Sequence, residues 1–182
     1  LKEEIADYLS DENDYAEHIL APMGKLKNTI YNEIKGRMKE DDTSIPLIDG
    51  NFLYYKKFVL GGQYPHMCRK EKGKNNEQVI LNGDLESEGQ LFFKLGETFH
   101  SPNHKFFAYA IDKTGSEVYS IYFRNIQSGE DLDDIVEGTQ GNFRWSNNSN
   151  SILYTVLDEN HRPHAIKRHI LNTNPCEDEE IY

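Results

Sequence analysis

The sequence predicts a mainly β fold: a partial β-propeller of about three four-stranded blades, preceded by N-terminal α-helices. Two observations carry this. The chain matches itself without gaps at an offset of 45 residues (146 − 101): Ser101 falls on Ser146, Asn103 on Asn148 and Tyr109 on Tyr154. Further on, Ile121 falls on Ile166, Asp133 on Asp178 and Val136 on Ile181. A unit of this length holding four short strands has the size of a propeller blade. It repeats because one blade cannot cover its own two faces; stacking similar blades buries both. The second observation is an N-terminal stretch of different periodicity, helical instead of alternating.

That stretch comes first. Ile5, Leu9, Ala16, Ile19 and Leu20 form a rough helical stripe, and Pro22 interrupts it. Met23, Leu26, Ile30, Ile34 and Met38 form a cleaner one. Acidic residues crowd the first 17 positions, which suits a solvated face and helix N-terminal turns. "KEDDTSIP" ends the helices, with Pro46 disfavouring helix at Ile45. The expected division is therefore a helical segment over 1–48 and propeller blades over 49–182.

The first blade is expected over residues 52–81. "FLYYKKF" and "YPHMCRK" flank the turn "VLGGQ", where Gly61-Gly62 supplies the dihedrals a hairpin needs, and "EQVIL" follows. The next two blades run in parallel. Their inner strands are "TFH" and "NFRW", and their second strands "KFFAYAI" and "SILYTVL". Turns "DKTGSE" and "DENHRP" lead to third strands "VYSIYFRN" and "HAIKRHIL". Loops "QSGED" and "NTNPCED" precede short outer strands "DDIVE" and "DEEIY".

Composition narrows the function. The 182 residues carry 20 basic and 31 acidic side chains, a formal charge of −11. Phosphate binding needs a basic face, so nucleic acid is not an expected partner, whereas short basic peptides would be attracted. "LKEEIADYL" lacks an apolar leader core and no apolar run reaches membrane length, so no membrane association is expected. Cys68 and Cys176 have no CxxC spacing and read as free thiols of a reducing compartment, hence a cytoplasmic location.

The residues offer little chemistry. There is no GxSxG elbow, P-loop or GxGxxG; Ser116 and Ser128 lie in blade turns. His100 and His104 have the spacing of a zinc helix, but Pro102 between them places them in a strand and turn. His161, His164 and His169 cluster in sequence, yet residues five apart on a strand point to opposite faces, so they read as turn and outer-strand histidines. The acidic pairs Asp133-Asp134 and Asp178-Glu179 recur at one point of each unit and read as edge-guarding charges. No catalytic, cofactor-binding or metal-binding residue is expected in this chain, and no cofactor.

One resemblance covers nearly the whole chain. "YLSDENDY", "EIKGRMKEDDTSIP", "YYKKFVLGGQYPHMCRK", "LGETFHSPNHKFFAYAIDKTGSEVYSIYFRNIQSGE" and "FRWSNNSNSILYTVLDENHRPHAIKRH" occur in this order. The ordered set resembles the N-terminal portion of the prolyl oligopeptidase family of serine peptidases, on its oligopeptidase B (protease II) branch. Asn103 stands where the family commonly has Asp, and Asn147 and Asn148 are similar swaps at turn positions where Asn serves as well. The resemblance implies a longer parent enzyme of two domains, in which a seven-bladed propeller caps an α/β-hydrolase domain. A Ser-Asp-His triad in that domain would cleave short peptides after Lys or Arg, and the propeller would gate access. No triad residue can be carried over to residues 1–182, so this chain alone should be inactive. The alternatives are a non-enzymatic propeller that binds partners and a prolyl-specific sibling. A severed propeller should also self-associate, through its bare blade face or by exchanging its helices.

Overall fold

The computed structural model describes residues 2–182 and divides between Glu40 and Asp41 into two compact units. The first unit holds α1 (Lys2–Leu20), a single 3-10 turn (Ala21–Met23) and α2 (Gly24–Arg37). Pro22 sits in that 3-10 turn, where the helical ladder is interrupted as its missing N–H requires. Glu3 and Glu4 occupy the first turn of α1, and Lys35 and Arg37 the last turn of α2, both with the sign that favours the helix dipole. Neither helix buries a residue; Leu9, Ile19, Leu26 and Ile34 all stay exposed.

The second unit begins earlier than the expected boundary at 48. Residues 42–49 already belong to the β structure: Phe58 N–H donates to the Asp42 carbonyl, Ser44 N–H to that of Lys56, and β1 (Leu47–Asp49) pairs with β2 (Phe52–Lys57). Pro46 stops helix but not a strand edge, which is why the sequence boundary falls too late. β3 (His66–Glu71) and β4 (Gln78–Asn82) complete an antiparallel sheet in the order β1-β2-β3-β4. This is the first blade, and its inner strand β1 overlaps the end of the expected helical segment. A five-residue helix, α3 (Gly83–Ser87), follows it.

The other two blades share one seven-stranded antiparallel sheet: β5 (Lys94–His100), β6 (Phe106–Asp112), β7 (Tyr119–Asn125), β8 (Asp131–Trp145), β9 (Ser151–Leu157), β10 (Pro163–Ile170) and β11 (Glu179–Glu180). The expected strands "DDIVE" and "NFRW" are not separate. They form the single strand β8, whose first half pairs with β7 and whose second half pairs with β9. Its register shifts between Thr139 and Phe143, and Gly138 (φ 70°) and Gly141 (φ 85°) take left-handed conformations on either side of Thr139. With β8 serving as outer strand of one blade and inner strand of the next, the chain holds three blades of an open propeller.

The repeat is exact in its turns. Ser101 Oγ donates to Asn103 Oδ1 and accepts from Phe106 N–H, and His104 follows at φ 60°. Ser146 Oγ donates to Asn148 Oδ1 and accepts from Ser151 N–H, and Ser149 follows at φ 63°. Tyr109 and Tyr154 occupy the fourth position of β6 and β9, as the offset requires.

Burial explains the strand composition. β6 alternates between two cores. Phe107, Tyr109 and Ile111 pack with Ile80, Leu81 and Phe93 against the first blade. Ala108 and Ala110 pack with Ile121, Phe123, Phe143, Ile152 and Tyr154 towards the third. A strand covered on both faces needs no polar alternation, hence "FFAYAI". Each of the large side chains contributes about 1.5–3 kcal/mol by its burial.

Candidate functional site

An apolar cleft of about 710 Å³ lies between the first blade and β5, lined by Leu47, Tyr54, Met67, Cys68, Thr98 and Phe107 among others. Cys68 is buried there, and burial, with Glu77 adding to it, pushes its thiol pKa up to about 11, so it is a packing residue and not a nucleophile. Cys176 is exposed, and neither cysteine forms a disulfide.

At one end of this cleft three polar side chains converge on aromatic neighbours. Asp49 closes β1, His100 closes β5, and His104 stands in the turn after it. His100 Nε2 lies 2.8 Å from Asp49 Oδ2, and the Tyr54 hydroxyl lies 2.9 Å from His104 Nδ1. Tyr54 stacks on His100 with centroids 3.7 Å apart and planes 1° from parallel; the two imidazoles are 5.3 Å apart. The hydrogen bond from His100 holds the Asp49 carboxyl below its ordinary pKa, burial opposing it. Burial lowers the pKa of His104, with the Asp49 charge acting the other way. The sequence reading set His100 and His104 apart because Pro102 forbids a helix between them. The structure brings them together by another route: the left-handed backbone at His104 turns its ring back over the end of β5. Asp49 is 51 residues from His100, a separation that no local spacing signals.

Polar contacts also tie strands within each blade. A tyrosine of the second strand donates to an acid at the start of the outer strand: Tyr55 to Glu77 (2.6 Å), Tyr109 to Asp131 (2.9 Å) and Tyr154 to Asp178 (2.8 Å). Burial raises the pKa of all three phenols. In the second blade Arg124 binds Asp131 and the Tyr109 hydroxyl, and reaches the first blade at Glu86 and the Ile80 carbonyl. His169 stands 45 residues on (169 − 124) and acts likewise, 2.9 Å from Asp178 and 3.3 Å from Asp134 of the preceding blade.

This corrects two expectations. His169 is not an outer-strand histidine: it is fully buried on β10, the third strand of its blade, stacked on Phe123, while His164 on the opposite face is exposed. Asp134 and Asp178 do not guard edges but hold His169. Nor are Asp133 and Asp178 equivalent in role, since the partner of Tyr109 is Asp131; irregular pairing between β7 and β8 shifts the acid by two residues.

The remaining candidates stay apart. Ser116 contacts Thr114 in the β6–β7 turn, Ser128 caps its own loop, and His161 sits in the Asp158–Arg162 turn. Among the described residues the hydrogen bonds recorded for histidine side chains go to tyrosine and carboxylates, not to serine or cysteine. These polar contacts latch strands within a blade and each blade to the one before it.

A family model for the prolyl oligopeptidase N-terminal β-propeller domain matches residues 2–182. The chain belongs to this family. Dipeptidyl aminopeptidase BI of Pseudoxanthomonas mexicana is 30% identical to this chain over 98% of the chain, and protease 2 of Moraxella lacunata is 28% identical over 98% of the chain. Oligopeptidase B from Leishmania major superposes with a TM-score of 0.92 at 30% identity, again over 98% of the chain. The chain spans about a quarter of each: 27%, 27% and 26%. Open sheet edges and blades covered on one face only are what a section of a larger propeller has.

Proposed function

We propose that the chain is the entrance portion of a serine oligopeptidase that hydrolyses short peptides, with cleavage after Lys or Arg. The observation that carries this is the 30% identity to oligopeptidase B across nearly all of the chain, at a TM-score of 0.92. In this reading the triad lies in a hydrolase domain outside residues 1–182. There the serine would attack the peptide carbonyl, the histidine would take and return its proton, and backbone N–H groups would hold the oxyanion. The propeller contributes access control: latched blades form a wall that folded proteins cannot pass. Its net charge of −11 favours basic peptides by long-range attraction. The apolar stripes of α1 and α2 suit helices that lie on the hydrolase domain, and the outward face of β9 and β10 suits a following blade. Without them the 182-residue chain would self-associate. A cytoplasmic location fits the two free thiols; no helix among the described residues is long and apolar enough to cross a membrane.

The test uses the full reading frame and residues 1–182 side by side, with fluorogenic peptides ending in Arg, Lys or Pro and a serine-directed fluorophosphonate label. The full protein should cleave after Arg and Lys and take the label, and residues 1–182 should do neither. Cleavage after Pro would assign the prolyl-specific sibling. A full protein with neither turnover nor label would leave a binding propeller, and turnover by residues 1–182 that a point substitution abolishes would overturn the reading.

A further inference from the structure

We propose that Asp49, His100 and His104 form a binding site for one divalent transition metal of the zinc class, which clamps the tips of the first two blades together. One ligand atom from each residue lies within 4.8 Å of the other two. Zinc with bonds of about 2.0–2.1 Å needs its ligand atoms about 3.4 Å apart, so small side-chain rotations close the set. Two imidazoles and a carboxylate are the donor types of three-ligand zinc sites, which keep a fourth position for water. Hard cations such as magnesium or calcium select oxygen-rich sets instead.

The surroundings hold the ligands as a metal site requires. The Tyr54 hydroxyl faces His104 Nδ1, which leaves Nε2 for the ion, the outer-shell arrangement usual for ligating histidines. The Tyr54 ring fixes the plane of His100. Gly50 keeps the approach open: a Cβ there would stand 2.8 Å from His104 Nε2, and its φ of 52° already disfavours any side chain. Arg69 donates to the His104 carbonyl and lies 4.4 Å over the Phe52 ring, and its charge also acts on Tyr54 and His104. Binding replaces the present hydrogen bond between His100 and Asp49: His100 keeps one proton on Nδ1, a neutral ring by shifting its proton there through solvent and an imidazolium by releasing the Nε2 proton, and the freed Nε2 lone pair and the Asp49 carboxylate turn to the ion. The consequence is structural. Asp49 belongs to the first blade and the histidines to the second, so the ion would join two sheets at the end of the cleft. This holds whatever peptide the parent cleaves.

The experiment is a cobalt(II) titration of the untagged 182-residue chain after chelator treatment. Visible d–d absorption should saturate at one equivalent and be displaced by zinc. Asp49→Asn and His104→Gln should each abolish the saturable absorption, and His161→Gln with His164→Gln should keep it. Asp49 is exposed, so its variant retains the fold, checked by circular dichroism. Zinc should also raise the Tm of the parent chain but not of Asp49→Asn. Absence of a saturable one-equivalent band, or its survival in both Asp49→Asn and His104→Gln, would overturn the proposal.

Discussion

Asp112 shows how much one side chain can organise. It is fully buried at the end of β6, where its carboxylate accepts from the backbone N–H groups of Thr114, Gly115 and Glu117 and from the Thr114 hydroxyl. Burial alone would raise its pKa, but these four donors outweigh it and hold the carboxyl below its ordinary value. The sign of the linkage follows. The unfolded chain takes up this proton first, near pH 4, so the stabilisation is complete above that pH and is lost as pH falls through the lower folded pKa. Asp112→Asn should destabilise the chain by about 1–3 kcal/mol at pH 7. Urea unfolding at pH 7 and pH 3 should show the gap between parent and variant narrowing in acid, and an equal gap at both would refute the assignment. The sequence displays Asp112 before "KTGSE" and so signals a capped turn. It gives no sign that His169, written among exposed turn residues, is buried between Asp134 and Asp178.

At the scale of elements, β8 is the instructive case. Its two halves serve two blades, and the glycines between them do different jobs. Both have positive φ, but a Cβ on Gly138 would meet open space, whereas one on Gly141 would stand 2.7 Å from the Tyr119 ring. The Thr139 hydroxyl fills the irregular ladder there, donating to the Tyr119 carbonyl and accepting from Gly141 N–H. Gly138→Ala should therefore cost only the left-handed backbone penalty, about 1–2 kcal/mol. Gly141→Ala adds overpacking against Tyr119 and should cost about 3 kcal/mol or more. Chemical denaturation of the two variants orders them, and equal losses would mean that the Tyr119 contact is not the constraint. The sequence showed an outer and an inner strand with glycines between and read a break. Backbone pairing carries the strand through, because glycine can take the needed kink without leaving the ladder.

For the whole molecule, the face of the third blade is where the proposed self-association is tested. Ile152 and Tyr154 are buried against the second blade, so the other face of β9 is the bare one: Leu153 is 41% exposed, with Ile166 and Ile170 of β10 at 38% and 41%. The proposed self-association would run through these three apolar side chains, which flank Arg168. Sedimentation of the chain at micromolar concentration should show dimers or larger species, and Leu153→Lys with Ile166→Lys should shift it towards monomer. A parent chain that sediments only as a monomer, or an unshifted double variant, would refute self-association through this face.

Strand order, the 45-residue repeat and the Ser-x-Asn turn were legible in the sequence because they depend on local periodicity and turn chemistry, which the chain carries in adjacent letters. Period-two alternation also told which residues share a face. It could not tell what covers that face. That β6 is buried on both sides while β9 is buried on one, and that Asp49 meets His100 across 51 residues and lies beside His104, follows from blade stacking. Such contacts are set by packing between sheets, where distance along the chain carries no information, and only the tertiary structure decides them.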